Sequence, residues 1–422
     1  MRDVPSPAVA IVGRHNSGKT TLIEKLIAEL VGRGLDVGSV KHHSHPGFEI
    51  DYPGKDSYRH RAAGASETVI AAPGQMARMK TLDEELECAD IVRSMPGHDI
   101  VIVEGYRKSG LPTIEVMRAA NQADAATAAV FAEGARRGWS LGEDFTQLAR
   151  GDAPAGEGAG EGAGASPEKM PAAATVAVVT DIPEAREAAG VYGIPAFGLE
   201  DVSALADFVQ ERFARPEVSV VIQAGGESRR MGQSKATVPF AGRPLICRMV
   251  ERLSPAADEL IITTNEPENL AFLERDYPDL NIRLVRDVFD ERGSLRGMYT
   301  ALSEAACPHV AVIACDMVMA SASLVMAESL AALESGADAV VPVNRHGYEP
   351  FHAVYRPEGC LPAIRAALDA GESRTQSFLG RVNLYEFSRE EVLAAEPAGG
   401  CFINANTPEE LHAIERMLDE DE

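Results

Sequence analysis

The stretch GRHNSGKT, residues 13–20, has the spacing of a phosphate-binding loop. It follows an apolar run and precedes a helical pattern, which is the context that this motif requires. Backbone N–H groups can then wrap a phosphate chain, and the amino terminus of the helix adds a favourable dipole. Lys19 would supply charge to the β- and γ-phosphates, and the Thr20 hydroxyl is placed to bind Mg²⁺. The residues predicted to bind a nucleotide at this loop are Gly13, Asn16, Ser17, Gly18, Lys19, Thr20 and Thr21.

A second glycine-rich stretch, VIQAGGESRRMGQSK, spans residues 221–235. Its first glycines follow an apolar strand and let the backbone approach a nucleotide without interference from side chains. Arg229, Arg230 and Lys235 then gather positive charge, which suits a triphosphate that releases pyrophosphate. The glycine spacing excludes a Rossmann dinucleotide fingerprint. The chain is therefore predicted to bind phosphates at two different loops.

Acidic residues end three of the predicted strands: Glu104 closes DIVIVE, Asp287 closes NIRLVRD and Asp316 closes HVAVIACD. The carboxyl ends of strands in an open α/β sheet face the ligand crevice, and carboxylates there suit Mg²⁺. Asp316 is predicted to bind the metal, and Asp287 to contact either nucleotide or metal. Glu104 could hold a metal-bound water, with a plain surface acid as the alternative. The predicted cofactor is Mg²⁺, with Asp316, Thr20 and Glu104 as its ligands.

Strand-like and helix-like patterns alternate along both halves of the chain. Leu22, Leu26 and Leu30 lie at helical spacing in a helix that Gly34 ends. The alternation predicts two open α/β domains, residues 1–215 and residues 216–422. A Gly-, Ala- and Glu-rich insertion at about residues 151–171, within a compositionally distinct segment at 119–171, is expected to be disordered. The predicted strands are AVAIV, DVGSVK, ETVIAA, DIVIVEG, PTIEVMR, TVAVVTD and GIPAFGL in the first half and VSVVIQ, ELIITT, NIRLVRD, HVAVIACD and ADAVVPV in the second.

Composition narrows the class of protein. The 422 residues are 45% apolar and 25% charged, as in a soluble globular protein. A net charge of −24 argues against non-specific nucleic-acid binding, so the two basic loops point to small phosphorylated ligands. No apolar run is long enough for a membrane helix, and no signal peptide is recognised. Six scattered cysteines are expected to be reduced thiols, and the predicted location is the cytoplasm.

Four N-terminal segments together resemble one family. GRHNSGKTTL, KHHSH, DYPGKDSYRHRAAGA and IVIVEGYRK are similar to the MobB family, the P-loop accessory proteins of molybdopterin-guanine dinucleotide synthesis, over residues 7–118 and 175–214. The resemblance implies a P-loop NTPase-like domain, GTP binding with weak hydrolysis, and a homodimer. Ser44 stands where the family more often has histidine. For the histidines of KHHSH, metal binding, phosphate contacts and plain solvation remain open.

The C-terminal half resembles the MobA family, the molybdenum cofactor guanylyltransferases, over residues 216–422. The similar segments are QAGGESRRMGQSK, RDVFDERGSLRGM, ACD, GYEPFHAVY and FINANTPEEL. The resemblance would place the last two on the acceptor side, with a core strand and a capped C-terminal helix as the alternatives. The resemblance implies a Rossmann-like nucleotidyltransferase domain that uses Mg²⁺, with Arg230, Lys235 and Asp316 as catalytic residues. The chain departs from the family at Gln223, Ser234 and Thr263, where Leu, Asp and Asn are usual. The residues that would contact GTP are Gln223, Ala224, Gly225, Lys235, Thr263, Asp287 and Asp316.

Together the resemblances imply transfer of GMP from GTP to molybdopterin with release of pyrophosphate, assisted by a fused GTP-binding domain. The implied partners are GTP, molybdopterin, a second copy of the chain and molybdoenzyme apoproteins or molybdenum-insertion proteins. Cytidylyl transfer is an alternative, although Gly225, where those relatives tend to carry alanine, favours guanine. Transfer to a sugar phosphate would leave the P-loop half without a purpose. An alternative of another class is a GTP-dependent carrier or regulator with an inactive transferase half.

Overall fold

A computed structural model describes residues 3–43, 51–141, 169–225 and 235–421 of the chain. Contacts divide it into two compact units, an N-terminal unit of Ser6–Phe213 and a C-terminal unit of Ala214–Glu422 together with Met1–Pro5. Each unit has its own main sheet and its own hydrophobic core. The predicted catalytic residue Arg230 lies outside the described residues, as do the rest of the 226–234 loop and nearly all of the predicted insertion.

The main sheet of the N-terminal unit is parallel throughout and confirms the predicted fold class. Its strands lie in the order β2-β5-β1-β6-β7-β8, with the apolar β1 in its interior. Helix α1 packs Leu22, Leu26 and Leu30 against the sheet, as the spacing predicts. The strands are β1 (Ala8–Gly13), β2 (Val37–Lys41), β3 (Glu67–Ala72), β4 (Gln75–Lys80), β5 (Ile100–Glu104), β6 (Thr113–Met117), β7 (Thr175–Thr180) and β8 (Ala196–Phe197), and the helices are α1 (Lys19–Gly32), α2 (Asp56–Ala62), α3 (Cys88–Arg93), α4 (Gln122–Arg137), α5 (Pro183–Val191) and α6 (Val202–Phe213).

Strands β3 and β4 form a separate two-stranded ribbon. The predicted strand ETVIAA is present, but among the described strands it pairs only with β4 and does not join the main sheet of the predicted α/β domain. A two-residue connection, with Gly74 at φ 79°, turns the chain back on itself, and so short a connection can join only antiparallel strands. Val69 and Met76, on one face of the ribbon, are 51% and 69% exposed. The ribbon thus presents apolar side chains to solvent.

The C-terminal unit has an eight-stranded mixed sheet in the order β13-β12-β9-β14-β17-β15-β16, with β18 also paired to β15. Its strands are β9 (Val218–Gln223), β10 (Pro239–Phe240), β11 (Arg243–Pro244), β12 (Glu259–Thr263), β13 (Ile282–Val285), β14 (His309–Ala314), β15 (Ala339–Asn344), β16 (Gly347–Tyr348), β17 (His352–Tyr355) and β18 (Leu384–Phe387), β10 and β11 forming a separate pair. Its helices are α7 (Leu245–Leu253), α8 (Phe272–Asp276), α9 (Ser294–Glu304), α10 (Ala322–Ser335), α11 (Pro357–Asp369), α12 (Arg389–Ala395) and α13 (Pro408–Asp421).

The strand directions in this sheet determine which residues meet. Strands β13, β12, β9 and β14 are parallel, so their carboxyl ends lie at one edge of the sheet. Strand β17 runs antiparallel to both β14 and β15, so its first residues come to that same edge. Apolar clusters cover both faces of the sheet. The edge therefore collects polar residues above a closed core.

The helices are short. The longest within the described ranges, α4, has 16 residues, and no described helix is both long and apolar enough to cross a bilayer. Helix α4 lies within the compositionally distinct segment at 119–171. It begins at Asn121, whose side chain accepts hydrogen bonds from the backbone N–H groups of Ala123 and Asp124.

A fully buried polar pair ties α10 to β17. Nδ1 of His352 lies 3.2 Å from Oε1 of Glu328, and both side chains are 0% exposed. Burial raises the pKa of Glu328, and the nearby imidazole opposes that shift. The other ring nitrogen of His352 accepts a hydrogen bond from the backbone N–H of Ser321 at 3.3 Å. Because a lone buried polar group is costly, this pair fixes the start of β17 against α10.

Glu328→Ala is expected to destabilise the C-terminal unit by about 3 kcal/mol, because it leaves His352 buried without its partner. Urea unfolding followed by circular dichroism measures the effect. The fluorescence of Trp139, the single tryptophan of the chain, reports the N-terminal unit separately and should not change. Glu334→Ala, at an exposed position on the same helix, is the control. Equal effects of the two variants would contradict a stabilising role for the pair.

Candidate nucleotide-binding sites

The N-terminal loop has the backbone geometry that the motif predicts. Gly13, at φ 156°, lies so close to the neighbouring strand that a Cβ would stand 2.5 Å from the carbonyl oxygen of Val116. Gly18 caps α1 in the left-handed region at φ 87°. Lys19 and Thr20 then open the helix, at the carboxyl end of the interior strand β1. The loop therefore aims backbone N–H groups and the helix terminus toward the same cavity.

Side chains from two parallel strands complete this site. The hydroxyl of Thr20 donates to Oε1 of Glu104 at 3.0 Å, and Nζ of Lys41 lies 3.2 Å from Oε2. Nζ of Lys19 donates to the carbonyl oxygen of Arg14 at 2.6 Å, and burial lowers the pKa of this lysine while Glu104 opposes the shift. The hydroxyl and the carboxylate are oxygen ligands of the kind that Mg²⁺ prefers, so these residues fit the predicted metal.

A brace that the sequence did not indicate holds the loop from behind. Asp124, 1% exposed on α4, accepts a hydrogen bond from the Ser17 hydroxyl at 2.6 Å and another from the backbone N–H of Arg118 at 3.1 Å. Nε of Arg14 lies 3.9 Å from Oδ1 of Asp124, and the Arg14 guanidinium donates hydrogen bonds to the Thr127 hydroxyl. The Ser17 side chain therefore faces the protein, and only its backbone remains for a phosphate.

The whole cavity has a volume of about 1040 Å³, and charged side chains of both signs and one stacked pair of rings also line it. The rings of His42 and Tyr106 stack with centroids 4.2 Å apart, and Nε2 of His42 lies 2.6 Å from Oε1 of Glu85. Lys41, His42 and His43 of the KHHSH segment line the cavity, whereas His45 is not described. Among the residues that the structure describes, no three His, Cys, Asp or Glu side chains are arranged to hold a metal by themselves.

The edge of the C-terminal sheet encloses a second cavity of about 760 Å³. At its centre, Nζ of Lys235 donates to Oδ2 of Asp316 at 2.7 Å and to Oδ1 of Asn406 at 2.9 Å. All the described residues that were predicted for the C-terminal site line this cavity. The lining consists of Gln223, Ala224, Gly225, Lys235, Thr263, Asp287, Arg292, Gly293, Ser294, Gly297, Ala314, Cys315, Asp316, Met317, Glu349, Phe351, Asn404 and Asn406.

One side of this cavity carries a second polar pair. Nδ2 of Asn265 donates to Oδ2 of Asp287 at 3.0 Å, and a Cβ on Gly225 would stand 3.4 Å from each of these two side chains. The backbone N–H of Ala224 donates to the carbonyl oxygen of Thr263 at 2.8 Å. Sequence reasoning missed Asn265, and its position two residues beyond the end of β12 was the signal that could have identified it.

Gln223 ends β9 between Thr263 of β12 and Ala314 of β14. Its carbonyl oxygen accepts a hydrogen bond from the backbone N–H of Cys315 at 3.1 Å. Its side-chain amide nitrogen is buried and has no hydrogen-bond partner within the described chain. Asp316 follows directly after Cys315, so the Gln223 main chain helps to position the carboxylate predicted to bind Mg²⁺. A single protein carboxylate fits that ion when phosphate oxygens supply further ligands.

Two family profiles match the chain in the order of the two units. The profile described as molybdopterin guanine dinucleotide synthesis protein B matches residues 8–132. The profile described as MobA-like NTP transferase domain matches residues 220–385. The order and the families agree with the resemblances found in the sequence.

Individual relatives show the same division. A molybdenum cofactor guanylyltransferase from Desulfosudis oleivorans is 32% identical over 202 residues, which are 48% of this chain and 96% of that protein. A probable molybdenum cofactor guanylyltransferase from Natranaerobius thermophilus is 31% identical over 201 residues, 48% of this chain and 96% of that protein. The molybdopterin-guanine dinucleotide biosynthesis adapter protein of Escherichia coli is 36% identical over 116 residues, 26% of this chain and 66% of that protein. The chain thus belongs, through its C-terminal unit, to the molybdenum cofactor guanylyltransferase family, and the region before it matches the profile described as molybdopterin guanine dinucleotide synthesis protein B.

Proposed function

We propose that the C-terminal unit transfers GMP from GTP to the terminal phosphate of molybdopterin and releases pyrophosphate. The observation that carries this proposal is the Lys235–Asp316–Asn406 arrangement at the centre of a cavity lined by the predicted GTP contacts. An ammonium group beside a single carboxylate offers a phosphate chain both a charge partner and a place for a phosphate-bound metal. Family membership supports the same reaction.

The transfer is an in-line displacement. An oxygen of the molybdopterin phosphate forms a bond to the α-phosphorus of GTP, the bond from that phosphorus to the bridging oxygen breaks, and the electron pair leaves with pyrophosphate. The attacking oxygen is already anionic, so no general base is required. Lys235 exchanges its protein acceptors for phosphate oxygens and stabilises the charge that develops on them. Asp316 would hold Mg²⁺ together with the phosphates, and the ion, when bound, supplies Lewis-acid stabilisation.

The N-terminal unit is proposed to bind GTP and to assist the transfer. The glycine geometry at Gly13 and Gly18, with Lys19 directed into the loop, supports binding of the β- and γ-phosphates. Thr20 and Glu104 would hold Mg²⁺ and its water. The proposed hydrolysis of GTP at this site is slow. Fusion to the transferase raises the effective concentration of each activity near the other.

We also propose that the chain is a homodimer formed through the β3–β4 ribbon. An isolated two-stranded ribbon is marginally stable in water, and this one exposes Val69 and Met76 on one face. Covering these side chains with the same surface of a second copy would bury them. Molybdenum-insertion proteins or molybdoenzyme apoproteins are the proposed recipients of the product.

The main test is transfer of label from each α-labelled nucleoside triphosphate to molybdopterin in the presence of Mg²⁺. Lys235→Ala is expected to lower kcat/KM about 10²- to 10³-fold, because the charge on the transferring phosphates loses its partner. Lys19→Ala should only reduce transfer. Lys25→Ala, which removes a half-exposed surface lysine, is the control. Label from CTP would overturn the base assignment, and transfer from no nucleotide would leave a GTP-dependent carrier or regulator.

Asp124→Asn is expected to weaken GTP binding at the N-terminal loop about tenfold, because the brace loses its charge and one of its acceptors. Calorimetric titration with a non-hydrolysable GTP analogue measures this loss, with Lys235→Ala present in every protein so that the second site contributes little. Asp207→Asn removes a surface carboxylate of the same unit as a control. Unchanged affinity in Asp124→Asn would refute the bracing role.

Val69→Glu combined with Met76→Glu is expected to convert the dimer to a single 45.0 kDa chain, because two carboxylates would be buried in the interface. Light scattering after gel filtration gives the mass. Val191→Glu, at a position 68% exposed in the same unit, should leave the dimer intact. A wild-type protein of single-chain mass, or a double variant that stays dimeric, would refute this interface.

A further inference from the structure

Besides Asp316, two carboxylates line the C-terminal cavity, and an asparagine amide donates a hydrogen bond to each of them. Asn265 donates to Oδ2 of Asp287 at 3.0 Å, and Nδ2 of Asn344 donates to Oε1 of Glu349 at 2.5 Å. Neither carboxylate forms an ion pair within the described residues. A carboxylate that faces the cavity without an ion-pair partner, and that accepts one asparagine N–H, still has acceptor sites for the N–H groups of a ligand. Burial raises the pKa of Glu349.

The two carboxylates lie on opposite sides of the phosphate-binding centre. Asp287 follows the end of β13, and Glu349 precedes the start of β17, which is four strands away. The Asp287 carboxylate reaches the chain at Gly225, just beyond β9, and β9 lies two strand spacings, about 10 Å, from β17, which is too far for one edge of a ring to contact both carboxylates. Lys235 and Asp316 lie between them, because Asp316 follows β14.

The Glu349 side of the cavity is held by the backbone of the sheet. The carbonyl oxygen of Phe351 accepts a hydrogen bond from the backbone N–H of Ala314 at 2.9 Å, two residues before Asp316. The backbone N–H of Glu349 donates to the carbonyl oxygen of Pro342 at 2.9 Å. Phe351 lines the cavity beside Glu349 and offers an apolar surface next to the carboxylate. These backbone hydrogen bonds to β14 and β15 fix the position of Glu349 relative to the sheet.

The two substrates of the proposed reaction share one recognition edge. Guanine and pterin both contain a 2-amino-4-oxopyrimidine ring, which presents a ring N–H and an amino N–H side by side. A carboxylate can accept both hydrogen bonds at once, as it does from arginine. The reaction joins one such ring to another through a pyrophosphate, and the cavity offers one carboxylate on each side of its centre.

We propose that Glu349 binds the pterin ring of the acceptor through its N3–H and 2-amino group, with Asn344 holding the carboxylate in place. Asp287 and Asn265 form the corresponding pair on the nucleotide side. This assignment rests on the proposed function of the C-terminal unit, and it adds the part of the acceptor that the chain recognises. The opposing assignment makes Glu349 a second ligand of the metal at Asp316.

Glu349→Gln in the full-length chain tests the proposal, because the amide replaces one acceptor oxygen by a donor. The KM for molybdopterin is expected to rise about tenfold to a hundredfold, and the KM for GTP to stay within about twofold. Asn344→Leu should raise the KM for molybdopterin by a smaller factor. Glu358→Gln, an exposed carboxylate at the start of α11, is the matched control and should change neither constant.

A pair of ring probes supplies a readout that a merely structural role would not change. 6-Hydroxymethylpterin has the 2-amino group, whereas 6-hydroxymethyllumazine carries an oxo group there and would repel a carboxylate. The wild-type protein is expected to bind the pterin more tightly, measured by the fluorescence of the probe, and Glu349→Gln should abolish the preference. Equal binding of the two probes by the wild-type protein, or no binding of either, overturns the proposal.

Two further outcomes distinguish pterin binding by Glu349 from a metal-ligand role of Glu349 and from the proposed GMP transfer itself. If Glu349→Gln raises the Mg²⁺ concentration needed for half-maximal transfer and leaves the pterin preference intact, Glu349 is a metal ligand and the proposal is wrong. If the wild-type protein prefers the pterin probe but transfers no GMP, the proposed reaction fails while the assignment of Glu349 stands.

Discussion

The pairing of Lys235 with Asp316 and Asn406 is the interaction on which the C-terminal site depends. These three residues are separated by 81 and 171 positions in the sequence, and they meet only because strand ends and the segment before α13 reach one edge of the sheet. In a chain of net charge −24, a cation must be held where an anion will bind. The lysine and aspartate side chains are 25% and 19% exposed, so the pair is shielded from most of the solvent yet open to a ligand. Phosphate oxygens can replace its acceptors without a change of fold.

In the N-terminal loop a main-chain carbonyl group, and not a side chain, holds the cation in place. Lys19 is held by the carbonyl oxygen of Arg14, and burial lowers the pKa of this lysine. When the backbone of a loop holds the ligand, side chains from other elements must fix the conformation of that loop. Asp124 on α4 provides that support through the Ser17 hydroxyl, 107 residues earlier in the chain. One unit therefore positions its cation by loop conformation, and the other by side-chain pairing.

The sequence predicted the parts of each site that depend on local spacing. The two glycine loops, their lysines and the strand-end acids could be identified because parallel strands bring their carboxyl ends together, and Thr20 and Glu104 do meet at 3.0 Å. The supporting residue Asp124 could not, because no motif links it to Ser17, and the only signal for Asn265 was its position just beyond the end of β12. Strand β3 could be predicted as a strand but not its partner, since a strand pattern does not specify which strand pairs with it. Family resemblance supplied the function, which spacing alone left open.

The antiparallel direction of β17 would let one sheet bind both substrates of the proposed reaction. If β17 ran parallel to β14, its first residues would lie at the opposite edge, and Glu349 and Phe351 would be far from Asp316. Because it runs antiparallel, the chain enters β17 at the ligand edge, and Phe351 hydrogen bonds to Ala314 there. The buried Glu328–His352 pair stabilises this reversed strand at its first residue. The reversal therefore extends the ligand edge beyond the parallel strands, and the added length is what a second ring system needs.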